Sequence, residues 1–183
     1  MKKRALLVID MQNDFLGAEA PLNCEGGLAI IPKVQQAIAN ARIAQIPIVH
    51  VYQEHRIDGS DFGRELERSK PHCIVGSKGA EFVNGIDVLE EDYLLLKKRF
   101  SSFFHTELDL LLRGLKVEEL VLCGIATDGC VRATAVDAHQ LGYYFKLIKN
   151  GTAGAIEASH QDSIAYLCRL QKDVLLEVDD LLP

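Results

Sequence analysis

The sequence predicts one α/β domain, a three-layer α/β/α sandwich of the Rossmann-like type around a doubly wound, mainly parallel, six-stranded sheet. The first observation is that short apolar runs of strand length alternate with longer segments whose apolar residues recur at helical spacing. The second is the length of 183 residues, which suffices for one well-buried domain but not for two. The third is an apolar share of 48% with 25% charged residues, as in ordinary globular proteins. We therefore treat residues 1–183 as a single domain.

The first half of the chain contains two predicted strands and one predicted helix. Residues 5–9 form a short apolar run and predict the first strand. Residues 28–44 have helical spacing, with Pro32 in the opening turns, and predict a helix that ends before a turn. Residues 48–52 predict the second strand. The segment that follows, from residue 58 to residue 85, is longer than an ordinary connection and is long enough to form a lid or an interface.

The second half repeats the alternation of strand and helix. Residues 93–97 predict the third strand, and the leucine-rich residues 107–115 predict a helix. The apolar run 119–123 predicts the fourth strand, which Gly124 ends. The remaining predicted elements are a helix after Cys130, a strand at 144–148, a helix at 157–170 and a strand at 174–178.

The polar residues that follow the strands are the first place to look for a site. In parallel sheets, ligands bind at the carboxyl ends of the strands. Asp10 follows the first strand, Lys97 ends the third, and Cys130 follows the fourth. An acid, a base and a thiol can therefore converge at one edge of the sheet. The same rule selects further polar residues: Gln12, Asn13, Asp14, Gln53, Glu54, His55, Arg56, Lys98, Arg99, Thr127 and Asp128.

Cys130 lies where a strand, a glycine and a polar turn lead into a helix. A helix N-terminus favours an anion, so the position predicts a lowered thiol pKa and backbone donors for an oxyanion. The pattern is typical of a nucleophile elbow. The other cysteines form no C-x-x-C pair, which gives zinc or dithiol chemistry no support; they are Cys24, Cys73, Cys123 and Cys168.

Composition excludes several classes of partner. The net charge is −6 and the basic residues are scattered, which argues against a nucleic-acid surface. The apolar stretch that follows the first basic residues is too short for a signal-peptide core, so we expect no membrane targeting. Cysteines in no framework favour a reducing compartment, and we expect a cytoplasmic protein whose partner is a small-molecule substrate.

Three segments carry a family resemblance: VIDMQNDF, KKRFSSFFHT and GIATDGCVRATAVDA. In their order and spacing they resemble the signature blocks of the isochorismatase-like cysteine hydrolases, and the likeness covers nearly the whole chain. That family includes nicotinamidases, N-carbamoylsarcosine amidases, ureido and biuret hydrolases, and isochorismatases. The resemblance implies a Cys-Asp-Lys triad of Cys130, Asp10 and Lys97. It also implies an oxyanion hole from the backbone N–H groups of Ala126 and Cys130, a cis bond between Ile125 and Ala126, and homo-oligomers of two or more subunits.

These residues predict hydrolysis of a small amide or ureido compound through a thioester. A thiolate that attacks an amide needs donors for the oxyanion and an acid for the departing nitrogen, and Asp10 can supply that acid. Arg56 and Arg132 could anchor a substrate carboxylate, because arginine binds carboxylates with two parallel hydrogen bonds. The candidate substrate-binding residues are Gln12, Phe15, His55, Arg56, Thr127 and Arg132.

Three other functions stay open. Nicotinamidases typically hold a metal through an Asp-x-His pair and a further histidine in the segment after the second strand. This chain has Gln53 at the expected aspartate, so we expect no metal or other cofactor and place nicotinamide second. Isochorismatases cleave a vinyl ether and can work without the thiol, so the presence of Cys130 favours C–N cleavage. A thiol redox sensor on the same fold is the non-enzyme alternative, with Cys123 as a conceivable partner of Cys130.

Overall fold

The computed structural model describes residues 2–17 and 19–183. Six strands form one sheet with the order β3-β2-β1-β4-β5-β6, and every neighbouring pair is parallel. This confirms the predicted fold class. The strands are β1 (Arg4–Ile9), β2 (Ile48–Gln53), β3 (Tyr93–Lys97), β4 (Glu119–Ile125), β5 (Tyr144–Ala153) and β6 (Leu175–Leu176).

The sheet is doubly wound about the pair β1 and β4. From β1 the chain builds outward through β2 to β3, and it then returns to β1 on the other side to continue through β4, β5 and β6. The strand order therefore reverses between β1 and β4, where Ile9 lies beside Gly124. In a sheet of this kind a crevice opens at the carboxyl ends of the two strands that flank the reversal.

Helices cover both faces of the sheet, because successive side chains of a buried strand point to opposite faces. Leu6 and Val8 of β1 belong to the core cluster on one face, whereas Leu7 and Ile9 belong to the cluster on the other face. The first cluster includes residues of α2, and the second includes residues of α3, α4 and α5. The helices are α1 (Asn13–Leu16), α2 (Ile31–Ile43), α3 (Leu108–Gly114), α4 (Arg132–Gln140) and α5 (Glu157–Leu170).

Several boundaries differ from those that the sequence predicts. The helix predicted from residue 28 begins with a 3₁₀ turn, and its α-helical part starts at Ile31. β5 runs on to Ala153 because, after a register shift, its last residues pair with β4 again. The sixth strand is only Leu175–Leu176, since the chain turns into a 3₁₀ turn from Val178. None of the described helices is long and apolar enough to cross a membrane.

The segment from residue 54 to residue 92, which we call the covering segment, lies over the carboxyl ends of β1 and β2. Its regular structure is limited to two short 3₁₀ turns. Backbone bridges join Phe82 to Gln12 and Ile74 to His55. The Cys73 amide donates to Asp14 Oδ2 at 2.6 Å, which fastens the segment to the loop after β1. The long connection that the sequence left without assigned structure is thus ordered against the predicted site.

Candidate active site

The structure brings the three predicted triad residues together. Lys97 Nζ lies 2.7 Å from Asp10 Oδ2 and 3.3 Å from Cys130 Sγ. Asp10 and Lys97 are each 1% exposed, and Cys130 is 8% exposed. The lysine thus bridges a carboxylate and a thiol in a nearly dry site. In such surroundings charge–charge interactions are stronger than in bulk water.

The sheet topology explains how residues so far apart in sequence meet. Asp10 directly follows β1 and has a positive φ of 52°, which turns the chain sharply at the strand end. Lys97 ends β3, two strands from β1 in the sheet order, so only a long side chain can reach Asp10 across the end of β2. Cys130 lies in the turn that joins β4 to α4.

The turn that carries Cys130 is irregular. Gly124 in β4 has a φ of 106°, and a Cβ there would lie 2.1 Å from the Ile9 carbonyl oxygen, so only glycine permits this approach of β4 to β1. The peptide bond between Ile125 and Ala126 is cis, as the family resemblance implies. Gly129 has non-helical dihedral angles, and the regular helix starts only at Arg132. Cys130 therefore precedes the helix on a bent turn.

Burial decides the protonation of the triad. Burial raises the pKa of the Cys130 thiol, the charge of Asp10 raises it further, and Lys97 opposes both. The expectation of a lowered thiol pKa was wrong, because desolvation outweighs the helix N-terminus where the turn is not yet helical. Burial also raises the pKa of Asp10, against the charge of Lys97. The resting thiol consequently keeps its proton and needs a neighbouring base.

A cavity of about 240 Å³ opens in front of the thiol. Asp10, Cys130, Ala126 and Phe15 line it, so four of the predicted site residues face one space. Gln53, one of the polar residues that the strand-end rule selects, also lines the cavity. The sequence reasoning missed the other walls, which come from separate loops: Leu22, Asn23, Cys24, Glu65, Phe100, Gly129 and Ala155. Most of these walls are apolar, so the cavity suits a compact, largely uncharged group.

Two of the predicted substrate-binding residues are used within the protein instead. The Gln12 side-chain amide donates to the carbonyls of Gln53 and Ala80 at 2.7 Å and accepts from the Gln53 amide at 2.8 Å. It therefore joins β2 to the covering segment and does not line the cavity. Thr127 Oγ1 lies 2.8 Å from His160 Nδ1 and is fully buried, so it fixes the turn against α5.

The two predicted carboxylate anchors also lie elsewhere. Arg56 is largely exposed, pairs with Asp58 at 3.5 Å and lines a separate surface depression. Arg132 places its guanidinium 4.1 Å from the centre of the Tyr166 ring, where a cation–π contact holds it. Neither arginine lines the cavity of Cys130.

His55 belongs to a group of potential metal ligands. His55, Glu65 and His72 each offer one ligand atom, and these atoms lie within 4.8 Å of one another. Both histidines are buried, and their Nε2 atoms have no hydrogen-bond partner among the described residues. Their Nδ1 atoms are engaged, that of His55 by Asp61 at 3.2 Å and that of His72 by the Lys70 carbonyl at 2.9 Å. This is how metal-binding histidines are usually oriented.

The electrostatics of this group also suit a cation. Burial lowers the pKa of His55 to about 4, against the neighbouring Asp61, so the imidazole is neutral at pH 7 and can be a ligand. Two imidazole nitrogens and one carboxylate form a ligand set known for zinc. The expectation of no metal was based on Gln53, which stands where an aspartate ligand was expected. The residues present fit a divalent cation because Glu65 supplies the carboxylate that Gln53 lacks.

The sequence carried only a weak signal for Glu65 and His72. Both lie in the covering segment, where neither helical nor strand periodicity relates one residue to another. The useful signal would have been the presence of two histidines and a glutamate in one long loop after a strand end, but loop residues have no register that predicts their distances.

The arrangement of the cysteines bears on the redox alternative. Cys123 packs in the core on one face of the sheet, whereas Cys130 packs on the other, so Cys123 is not the neighbour that a thiol sensor would need. Cys24 lines the same cavity as Cys130. Burial raises the pKa of Cys24 to about 12, which keeps it a protonated thiol. The pair therefore lacks the low-pKa thiol that redox sensors use.

Comparisons with known proteins identify the family of this chain. A family model described as "Isochorismatase domain" matches residues 4–175. An Arabidopsis thaliana protein named "Probable inactive nicotinamidase" is 39% identical, over 89% of this chain and 87% of its own. The maleamate amidohydrolase of Pseudomonas putida is 30% identical, over 97% of this chain and 85% of its own. An isochorismatase-like hydrolase from Alkaliphilus metalliredigens has a solved structure that matches with a TM-score of 0.88 and 36% identity, over 97% of this chain and 96% of that one. The chain thus belongs to the isochorismatase family.

Proposed function

We propose that this isochorismatase-family amidohydrolase cleaves a small amide or ureido compound through a thioester on Cys130, with Asp10 and Lys97 completing the catalytic triad. One observation carries the proposal: Lys97 touches both the Asp10 carboxylate and the Cys130 thiol at the wall of a cavity. A structural ion pair would need no thiol and no cavity beside it. The acid, the cation and the nucleophile together match the needs of amide hydrolysis.

The raised pKa of the thiol assigns the first step to Asp10. Its carboxylate oxygens have no other partner in the described part of the chain than Lys97 and Cys130, so the carboxylate is free to accept the thiol proton. The thiolate then attacks the carbonyl carbon of the substrate, and Lys97 balances the negative charge that remains in the site. Asp10 returns the proton to the departing nitrogen, which leaves as ammonia or an amine.

Deacylation reverses the roles. Water enters the space of the departed amine, Asp10 accepts its proton, and the resulting hydroxide attacks the thioester carbonyl. The acid product leaves, and the proton returns to the Cys130 sulfur. In both halves the negative oxygen is held by the backbone N–H groups of Ala126 and Cys130, two residues that line the cavity.

A divalent cation, where bound, would be held by the Nε2 atoms of His55 and His72 and by the Glu65 carboxylate. It would supply a fixed positive charge at the side of the cavity to which Glu65 contributes. The triad chemistry above uses only protein groups. Glu65 and Phe15 would then shape the end of the cavity in which the substrate carbonyl is oriented.

Nicotinamide is the second candidate, and the metal-ligand group is the observation that favours it. Nicotinamidases typically use a metal in the segment after the second strand, where His55, Glu65 and His72 lie. Against it, Gln53 replaces the expected aspartate, and the Arabidopsis thaliana relative is named as an inactive nicotinamidase. We therefore rank aliphatic amides and ureido compounds first. The expected dimer or larger assembly and the cytoplasmic location stay predictions.

Release of ammonia from a panel of primary amides, ureido compounds and nicotinamide tests the proposal. Cys130→Ala should reduce kcat/KM for every substrate by at least about 10⁴-fold, since loss of a nucleophile removes the covalent route. Cys168→Ala is the matched control, because Cys168 is exposed and does not line the cavity. Mass spectrometry should find the acyl adduct on Cys130. If Cys130→Ala keeps a tenth of the wild-type rate, covalent catalysis is wrong.

A further inference from the structure

A second and larger cavity adjoins that of Cys130. Its volume is about 580 Å³, and it shares Leu22, Glu65 and Phe100 with the first cavity as common walls. The first cavity is small and mainly apolar, so it can receive little more than the scissile group and a short linker. The rest of a bound substrate would extend past Phe100 into the second cavity.

The polar lining of this second cavity is cationic. Arg64, Arg68 and Arg99 face it, with Glu65 as the one acidic residue among its lining residues in the part of the chain that the structure describes. The protein as a whole carries a net charge of −6. Three arginines around one cavity in an acidic protein create a local positive field, which such a concave, low-dielectric site strengthens.

Two of the three guanidinium groups have no carboxylate partner within ion-pair distance in the described residues. Arg99 is half-buried and held in place, since its Nη1 donates to the backbone carbonyls of Asp61 at 2.8 Å and of Lys98 at 2.5 Å. Arg68 is exposed. Arg64, in contrast, is engaged by Glu67 at 2.9 Å. Arg68 and Arg99 are thus the groups available to an anion.

We propose that the substrate is an amide that also carries a carboxylate, with its reacting carbonyl at Cys130 and its carboxylate bound by Arg68 and Arg99. This rests on the proposed function and adds the substrate class. Planar guanidinium groups bind carboxylates through parallel hydrogen bonds, and the pre-positioned Arg99 loses little freedom on binding. The apolar walls of Leu22 and Phe100 fit the short hydrocarbon linker between the two polar ends.

The test compares succinamate with succinamide, and glutaramate with glutaramide, since the members of each pair differ only in charge at the distal end. Arg68→Gln and Arg99→Gln should each lower the preference for the charged member by about 10- to 100-fold, as expected for hydrogen bonds to a charged group. Arg56→Gln, in the separate depression, should keep the wild-type preference. Melting curves establish that each variant is folded.

Binding to Cys130→Ala separates this proposal from the triad proposal. Equilibrium dialysis of succinamate and succinamide against this variant should show preference for the charged compound, and Arg68→Gln in the same background should remove it. If Cys130→Ala binds the charged compound preferentially but the wild-type protein hydrolyses neither compound, the proposed hydrolysis is refuted and the anion site still stands. Equal affinity for the two compounds, or an equal loss of preference in Arg56→Gln, would overturn the anion site.

Discussion

The triad and the covering segment meet at one cavity, but they are built differently. Asp10, Lys97 and Cys130 lie at or just beyond the ends of strands, so the hydrogen-bonded sheet fixes their positions. Glu65 and His72 lie on a connection whose only regular structure is two 3₁₀ turns. One region is held by a continuous ladder of backbone bonds, the other by two isolated backbone bridges and a few side-chain contacts to the loop after β1.

The two regions suit different tasks, the strand ends bond cleavage and the covering segment substrate selectivity. A proton transfer between Asp10 and Cys130 needs fixed distances, which strand ends provide. Recognition of a particular substrate can change with a loop while the scaffold stays the same. In this protein the covering segment contributes the candidate metal ligands and Arg68, whereas the sheet carries the proposed catalytic triad. Each experiment below affects one region and leaves the other as its control.

The largest effect is expected at Lys97. Lys97→Met removes the cation that touches both Asp10 and Cys130, and we expect kcat/KM to fall by about 10³-fold or more, because the thiolate loses its charge partner. Lys98→Met is the neighbouring control. Lys98 is 38% exposed and pairs with Asp61 at 2.9 Å, so its loss should cost less than about 1 kcal/mol of stability.

Folding must be measured beside activity for Lys97→Met. Removing one partner of a buried ion pair costs about 3–5 kcal/mol, which Asp10 can lower by taking up a proton. The double variant Asp10→Asn/Lys97→Met removes both charges and should recover stability without activity. If Lys98→Met were inactive and Lys97→Met active, the catalytic lysine would be the residue one position further along the chain.

The covering segment should lose its metal affinity when Glu65 is changed. Glu65→Gln should weaken binding of Zn²⁺ or Co²⁺ at least about 100-fold, because Glu65 is itself a ligand. Loss of a residue that only hydrogen-bonds to a ligand already lowers metal affinity about 10- to 100-fold. Calorimetry with zinc and the visible spectrum of bound cobalt measure this without reference to activity. Glu67→Gln is the control, since Glu67 is exposed and pairs with Arg64. Equal zinc affinity in both variants would refute the three-ligand site.

The smallest effect is a shift of the pH profile. The base form of Asp10 is needed, and burial raises its pKa, so kcat/KM should fall as the pH decreases through a value above the ordinary aspartate pKa of about 3.9. Because Asp10 and Cys130 are coupled, the apparent pKa of this acid limb belongs to the pair and not to Asp10 alone. In Lys97→Met the remaining activity should show this limb at higher pH. An acid limb at or below pH 4 would contradict the role of Asp10 as base.

Much of the scaffold could be predicted without coordinates. The boundaries of β3 and of the helix at residues 157–170 agree with their predicted ranges, because β3 is one short apolar run of strand length and the helix has apolar residues at helical spacing. The extension of β5 to Ala153 could not be predicted, since KNGTA shows no alternation and pairs only because β4 offers a free edge after the register shift. The length of the two-residue edge strand β6 could not be predicted either, because it extends only as far as it pairs with β5.

The sequence by itself determined which residues form the proposed triad. Asp10, Lys97 and Cys130 follow from their places at strand ends and from the signature segments, because strand order and parallel direction bring those ends to one edge. Tertiary structure alone decided the rest. In the folded protein Arg56 and Arg132 contact other residues and do not line the cavity. Gln12 and Thr127 form hydrogen bonds within the protein. Glu65 lies close to His55 and His72. Loop residues have no repeating geometry, so their contacts depend on how the whole chain packs.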